Sequence, residues 1–238
     1  MTDLAMILGL INYVFVLFFG VVVSLYLADI NFMDHKVLYF CTLLGFGAAE
    51  GIFYLFMGES LLCKCYPLLI HVPLILLIWL VFHRNFYVST IAVLSAYLLC
   101  TPRKWLGTLV ASFFHGDPLI ANITAICVTI PLLFLVVRYI APYIIRLKYE
   151  NRKTILLLFL LPLAYYILEY TFTVYTDLLY TGGPVVIDFM DSFIVLFFFI
   201  LSMLSLDFSN KKNEAERENL LLTTAATQAQ KEIEQLSI

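Results

Sequence analysis

Charge is what this sequence has least of. Only 13% of its 238 residues are Asp, Glu, Lys or Arg, while 63% are hydrophobic. Soluble domains carry about 25% charged and about 45–50% apolar residues. A water-soluble fold is therefore excluded, because it has no interior large enough to hide so much apolar surface. Alternation of apolar and polar residues is also missing. The apolar runs are continuous, which argues against a membrane β-barrel and for spanning helices. The amino-terminal run, residues 1–28, has Asp3 but no Lys or Arg. Its apolar stretch of roughly 25 residues exceeds the 7–15 of a signal-peptide core. The absence of basic residues before it favours an outside amino terminus.

Chemical motifs are missing as well. There is no H-E-x-x-H, no G-x-S-x-G, no P-loop and no Gly-rich dinucleotide fingerprint. Of the five cysteines (Cys41, Cys63, Cys65, Cys100 and Cys127) only Cys63 and Cys65 are close, and no further Cys or His stands near them. That pair reads as small apolar residues at a membrane edge and not as a metal or redox site. Glu50 has no partner carboxylate nearby in sequence, and His71 has no metal-ligating neighbour. No catalytic residue, metal site, cofactor or nucleic-acid partner is expected within these residues.

What remains is a series of apolar runs, and about 20 apolar residues suffice to span a bilayer. The runs cover 4–28, 37–57, 66–82, 86–100, 119–145, 154–177 and 185–206, which makes seven. The fourth is short and stops at Thr101-Pro102-Arg103-Lys104-Trp105. The apolar piece 106–114 after it is too short to span. It reads as an interfacial helix, a re-entrant segment or the extension of a broken fourth helix. The loop 146–153 is the most basic of the membrane body. Placing it inside puts six Lys and Arg in inner loops (Lys36, Arg84, Arg146, Lys148, Arg152, Lys153) against three outside (Lys64, Arg103, Lys104). The positive-inside rule supports this orientation, with Arg103 and Lys104 dissenting. The expected architecture is an all-α polytopic membrane bundle of about seven spans, residues 1–207, with the amino terminus outside. A cytoplasmic helix, residues 208–238, follows.

Ionisable groups at membrane depth are costly and are functional candidates by default. Glu50, His71, Glu169, Asp188 and Asp191 stand out, and with Asn12 and Asn122 they fall in the outer half of their spans. Asp188 and Asp191 share one helix face at i,i+3. Glu169 is surrounded in sequence by Tyr165, Tyr166 and Tyr170. The functional reading is an outward-facing polar pocket for a small ligand, with Glu50, His71, Glu169, Tyr170, Asp188 and Asp191 as its candidate residues. The alternative is that each group is satisfied by an interhelical hydrogen bond and binds nothing. His115 and Asp117 sit in an outer loop and read as loop residues.

From residue 208 the sequence turns polar. Ala215, Leu222, Ala229 and Leu236 are spaced by seven, and Asn219, Ala226 and Ile233 repeat at an offset of four. Together they form the a/d stripe of a coiled coil, with Asn219 as a polar seam residue that can fix register and a dimeric state. The alternative is a single amphipathic helix lying on the membrane. Glu214, Glu216, Glu218 and Glu232 count against that on an anionic surface.

Three stretches carry a family resemblance: residues 100–107 (CTPRKWLG), 168–182 (LEYTFTVYTDLLYTG), and 213–220 (NEAERENL) running into 229–236 (AQKEIEQL). With a multi-span body that has no extracellular domain, they resemble the sensor region of Agr-type quorum-sensing histidine kinases with a GHKL ATPase domain, of the clostridial type. The resemblance implies a bacterial cell-membrane sensor, a cytoplasmic homodimer through the carboxy-terminal helix, and an extracellular peptide or small-molecule ligand. In such kinases the coil leads to a phospho-accepting His segment and an ATP-binding domain, and neither is present in these residues. The competing reading is a small integral-membrane transporter or a substrate-binding transporter subunit, which embedded acidic residues and broken helices also suit.

Overall fold

A computed structural model describes residues 2–146, 152–171, 174 and 185–236. All regular structure among them is helical. Eight α-helices follow in order: α1 Thr2–Leu27, α2 Lys36–Tyr66, α3 Val72–Leu76, α4 Phe86–Ser112, α5 Pro118–Leu135, α6 Ala141–Arg146, α7 Arg152–Tyr170 and α8 Val185–Leu236. Single π-helical turns at Pro67–His71, Leu77–Val81 and Val136–Ile140 join several of them. Among the described residues, four helical segments are long and apolar enough to cross a membrane: Ile7–Leu27, Lys36–Gly58, Ser60–Val81 and Pro118–Arg146. Their outer surfaces expose large apolar side chains such as Leu44, Leu55, Phe56, Leu68, Ile130 and Phe134. Water does not tolerate contiguous surfaces of that kind, but lipid does.

Local chemistry explains where the helices begin and end. Helix α1 closes in a Schellman motif. Asp29 takes the left-handed conformation (φ 61°), Ile30 N–H donates to Leu25 O at 3.1 Å, and Asp29 N–H donates to Tyr26 O at 3.0 Å. Tyr39 Oη then donates to Ile30 O at 2.6 Å and ties the turn to α2. Gly58, at φ 76° and ψ 173°, breaks α2 where only glycine sits without strain. The span after this break starts at Ser60, earlier than the apolar run suggests. Pro67 and Pro73 lack an N–H to give to the preceding turn, and the π-helical turn Pro67–His71 lies between them.

Helix α4 is the centre of the bundle and packs against α1, α3, α5 and α7. It starts at the Asn85 cap, whose Oδ1 accepts from Tyr87 N–H at 2.9 Å. It runs unbroken through Pro102, so Leu106–Ser112 is the continuation of the fourth helix, one of the three readings open for that piece. Arg103 and Lys104, which read as outer-loop residues, are therefore helical. Asp117 caps α5 by accepting from Leu119 N–H at 2.9 Å, with Pro118 in the first turn. That is a structural duty for the acid of the His115–Asp117 pair.

Helices α4 and α5 meet through small residues. Gly107 on α4 faces Ala121 and Ala125 on α5, which stand four residues apart. A Cβ added at Gly107 would stand 2.6 Å from Ala121 O and 3.5 Å from Ala125 Cβ. Such spacing lets helix backbones approach closely in a bilayer.

The chain divides into two units, Met1–Leu196 and Phe197–Ile238. In the second, every described side chain from Lys211 to Lys231 is exposed. Lys211 pairs with Asp207 at 2.9 Å and Lys212 with Glu216 at 3.8 Å, both at i,i+4. The hydrogen bond that Lys211 donates to Asp207 raises the Lys211 pKa above its ordinary value. Thr223, Thr224 and Thr227 bond back to carbonyls one turn earlier. The seam residues Ala215, Asn219, Leu222, Ala226 and Ala229 all face outward, while Ile233 and Leu236 lie outside the described side chains.

Candidate functional site

The first unit carries a half-open cavity of about 1000 Å³. Helix α1 gives it one stripe, from Asn12 and Tyr13 through Val16, Leu17 and Gly20 to Ser24. These positions recur at helical spacing, so they share a face. Helix α4 contributes Tyr97, Cys100, Thr101, Arg103 and Lys104. Helix α5 brings Asn122, the π-helical turn brings His71, and α7 brings Glu169.

Two polar clusters stand in this wall. In the first, Tyr166, Glu169 and Tyr170 occupy one face of α7 at i, i+3 and i+4. Tyr97 Oη of α4 donates to Glu169 Oε2 at 2.5 Å. A 2.7 Å hydrogen bond joins His71 Nδ1 to Tyr166 Oη. The Tyr66, Tyr97 and Tyr166 rings meet the His71 ring edge-on at 5.2, 5.2 and 5.4 Å between centroids. Tyr170 Oη donates to the Cys63 carbonyl. The cluster thus holds an imidazole and a carboxyl group, 7% and 6% exposed, inside an aromatic cage. Every bond in it links different helices, as buried polar groups in a bilayer require.

The second cluster is built on Arg103, which is 2% exposed. Its Nε donates to Thr129 Oγ1 at 2.7 Å, its Nη1 to Cys100 Sγ at 3.5 Å and its Nη2 to Asn12 Oδ1 at 2.9 Å. Asn12 Nδ2 passes the chain on to Asn122 Oδ1 at 3.1 Å. Thr129 in turn donates to Ala125 O at 2.9 Å. One guanidinium therefore ties α1, α4 and α5 together.

Of the candidate residues read from the sequence, His71 and Glu169 line the cavity. Tyr170 is buried behind them, joined to the same cluster through its stacked contact with Tyr166 at 5.5 Å. Glu50 is buried in α2 at 8% exposure but is not among the cavity-lining residues. The side chains of Asp188 and Asp191 lie outside the described residues. Asn12 and Asn122, noted for their depth, turn out to be bonded to each other. The sequence reading missed Tyr97, Arg103 and Thr129. The one signal for Arg103 was its dissent from the positive-inside rule, since a basic residue on the wrong side has to be accounted for by something other than the membrane potential. Among the described residues no three His, Cys, Asp or Glu side chains gather into a metal-holding group.

Comparison with protein-family models, with curated proteins and with solved structures finds no match.

Proposed function

We propose that this chain is the signal-sensing membrane region of a bacterial two-component histidine kinase. It would have seven spans, its amino terminus outside and its carboxy-terminal helix in the cytoplasm. A ligand entering from the outer side would bind in the cavity beside the His71–Tyr97–Glu169 cluster. Its binding would favour one of two arrangements of the last spans, and the change would repack a homodimeric coil at 208–238. The observation that carries this reading is α8: a single helix, Val185–Leu236, begins in a highly apolar stretch and ends in an exposed heptad stripe. A lone helix exposed on all sides has little to stabilise it, and a second copy would supply the missing contacts.

The π-helical interruptions at Pro67–His71 and Leu77–Val81 also fit a small transporter with a central site. The exposed tail separates the two, because a transporter needs no dimerising rod. The test joins residues 1–238 in register to the catalytic half of a known histidine kinase with a gene reporter. Single changes Glu169→Ala, Asp188→Ala and Asp191→Ala are expected to insert normally, and at least one should shift output about fivefold or more, within the usual range of coupling energies. Deleting 210–238 at the junction should abolish output. Unchanged output in all three variants would sink the sensing pocket, and transport activity surviving the deletion would favour the second reading.

A further inference from the structure

The guanidinium of Arg103 is buried without a counter-ion among the described residues. Its three acceptors, a hydroxyl, a thiol and an amide oxygen, are all neutral. The ion pairs among the described residues join Arg84 to Asp29, Lys211 to Asp207 and Lys212 to Glu216. A buried charge is costly unless it is paired or hydrogen-bonded. The three hydrogen bonds make the buried guanidinium tolerable, but none of them neutralises its charge, as an anion would.

Geometry supplies the rest. A guanidinium has five N–H donors in a rigid fork. Three are used by the partners above, which leaves one on each terminal nitrogen. A carboxylate takes such a pair in a bidentate fashion. Arg103 also lines the cavity. Apolar side chains, among them Val16, Leu17, Val21, Ile70, Leu74 and Val93, line part of the wall. The volume of about 1000 Å³ accommodates an organic molecule of moderate size.

We propose that Arg103, steadied by Asn12 and Thr129, binds the carboxylate of an amphiphilic ligand whose apolar body fills the cavity. This rests on the reading of the cavity as the ligand site. The carboxylate can come from a fatty acid or from the free end of an apolar peptide, and the guanidinium treats both alike.

The experiment is saturation binding to the full 238-residue chain in lipid nanodiscs, with empty nanodiscs as background. The probes are radiolabelled decanoate and its methyl ester, and an apolar hexapeptide with a free or an amidated carboxyl end. At least one acid should bind saturably and about 10- to 100-fold tighter than its uncharged counterpart, the value of a hydrogen-bonded charge. Preference for decanoate or for the peptide identifies the source and supports the site either way. Arg103→Gln should level acid and neutral probe. Thr129→Val, which removes one positioning bond but keeps the charge, should retain the preference while lowering thermal stability. Absence of saturable acid binding, equal binding of acid and neutral probe by the unmodified chain, or a preference that survives Arg103→Gln would overturn the proposal. If Arg103→Gln does not fold, the comparison of acid and neutral probes on the unmodified chain and on Thr129→Val still decides. Acid binding that leaves output of the kinase fusion unchanged supports this site and sinks only the sensing reading.

Discussion

Gly107→Ala is expected to lower the stability of the detergent-solubilised protein by about 1–3 kcal/mol, the usual cost of overpacking. The added Cβ would stand 2.6 Å from the Ala121 carbonyl oxygen, and this neighbour is backbone, with no side-chain rotation to relieve the clash. Helices α4 and α5 would have to separate. Separation would loosen the Arg103–Thr129 bond, which joins the same two helices at 2.7 Å. The effect should therefore exceed simple crowding, and Gly107→Leu should prevent the pair from closing. Gly45→Ala is the control. No atom lies within 4 Å of its added Cβ, so the change should be neutral or stabilising by up to about 1 kcal/mol through helix propensity. Thermal unfolding of the two variants side by side checks this. Equal shifts at Gly107 and Gly45 would show that the α4–α5 contact is not close.

Tyr97→Phe is expected to destabilise the protein by about 1–3 kcal/mol, since it leaves a buried carboxyl short of a donor. The phenyl ring keeps its edge contacts with His71 and Tyr166, at 5.2 and 4.9 Å between centroids. The loss would therefore report the 2.5 Å hydrogen bond to Glu169 and little else. Glu169→Leu removes the acceptor, and the double change Tyr97→Phe/Glu169→Leu should cost less than the sum of the two single changes, because both remove one interaction. Strict additivity in that cycle would mean that the two side chains do not act as a pair.

Much of the fold was legible because its rules are local. Continuous apolar runs mark helices within a turn or two of chain, whereas the Asn85 and Asp117 caps and the break at Gly58, though equally local, came only with the structure. The fourth helix was misjudged for a physical reason. Pro102 followed by Arg103 and Lys104 has the composition of a helix end, and the partners that keep Arg103 inside are remote. Thr129 is 26 residues away and Asn12 is 91. A buried charge is made tolerable by tertiary bonds that no sequence window contains. The same holds at the cavity. His71 and Glu169 were found because charge at depth is conspicuous. Tyr97 was not, because one tyrosine among fifteen reads as packing until its hydroxyl is seen on a carboxylate. The tail stripe is a pattern in the sequence, and the outward-facing seam leaves its partner to be tested.

The central claim is that the state of the cavity sets the packing of the tail. The direct measurement is a disulfide cross-linking scan of residues 215–231 in membranes, one cysteine at a time, in a chain whose five native cysteines are replaced by alanine. The account predicts cross-linked dimers that peak at Ala215, Asn219, Leu222, Ala226 and Ala229 and fall off at Arg217 and Thr224, with the pattern altered by Glu169→Ala. Uniform or absent cross-linking, or a periodic pattern that Glu169→Ala leaves untouched, would contradict it.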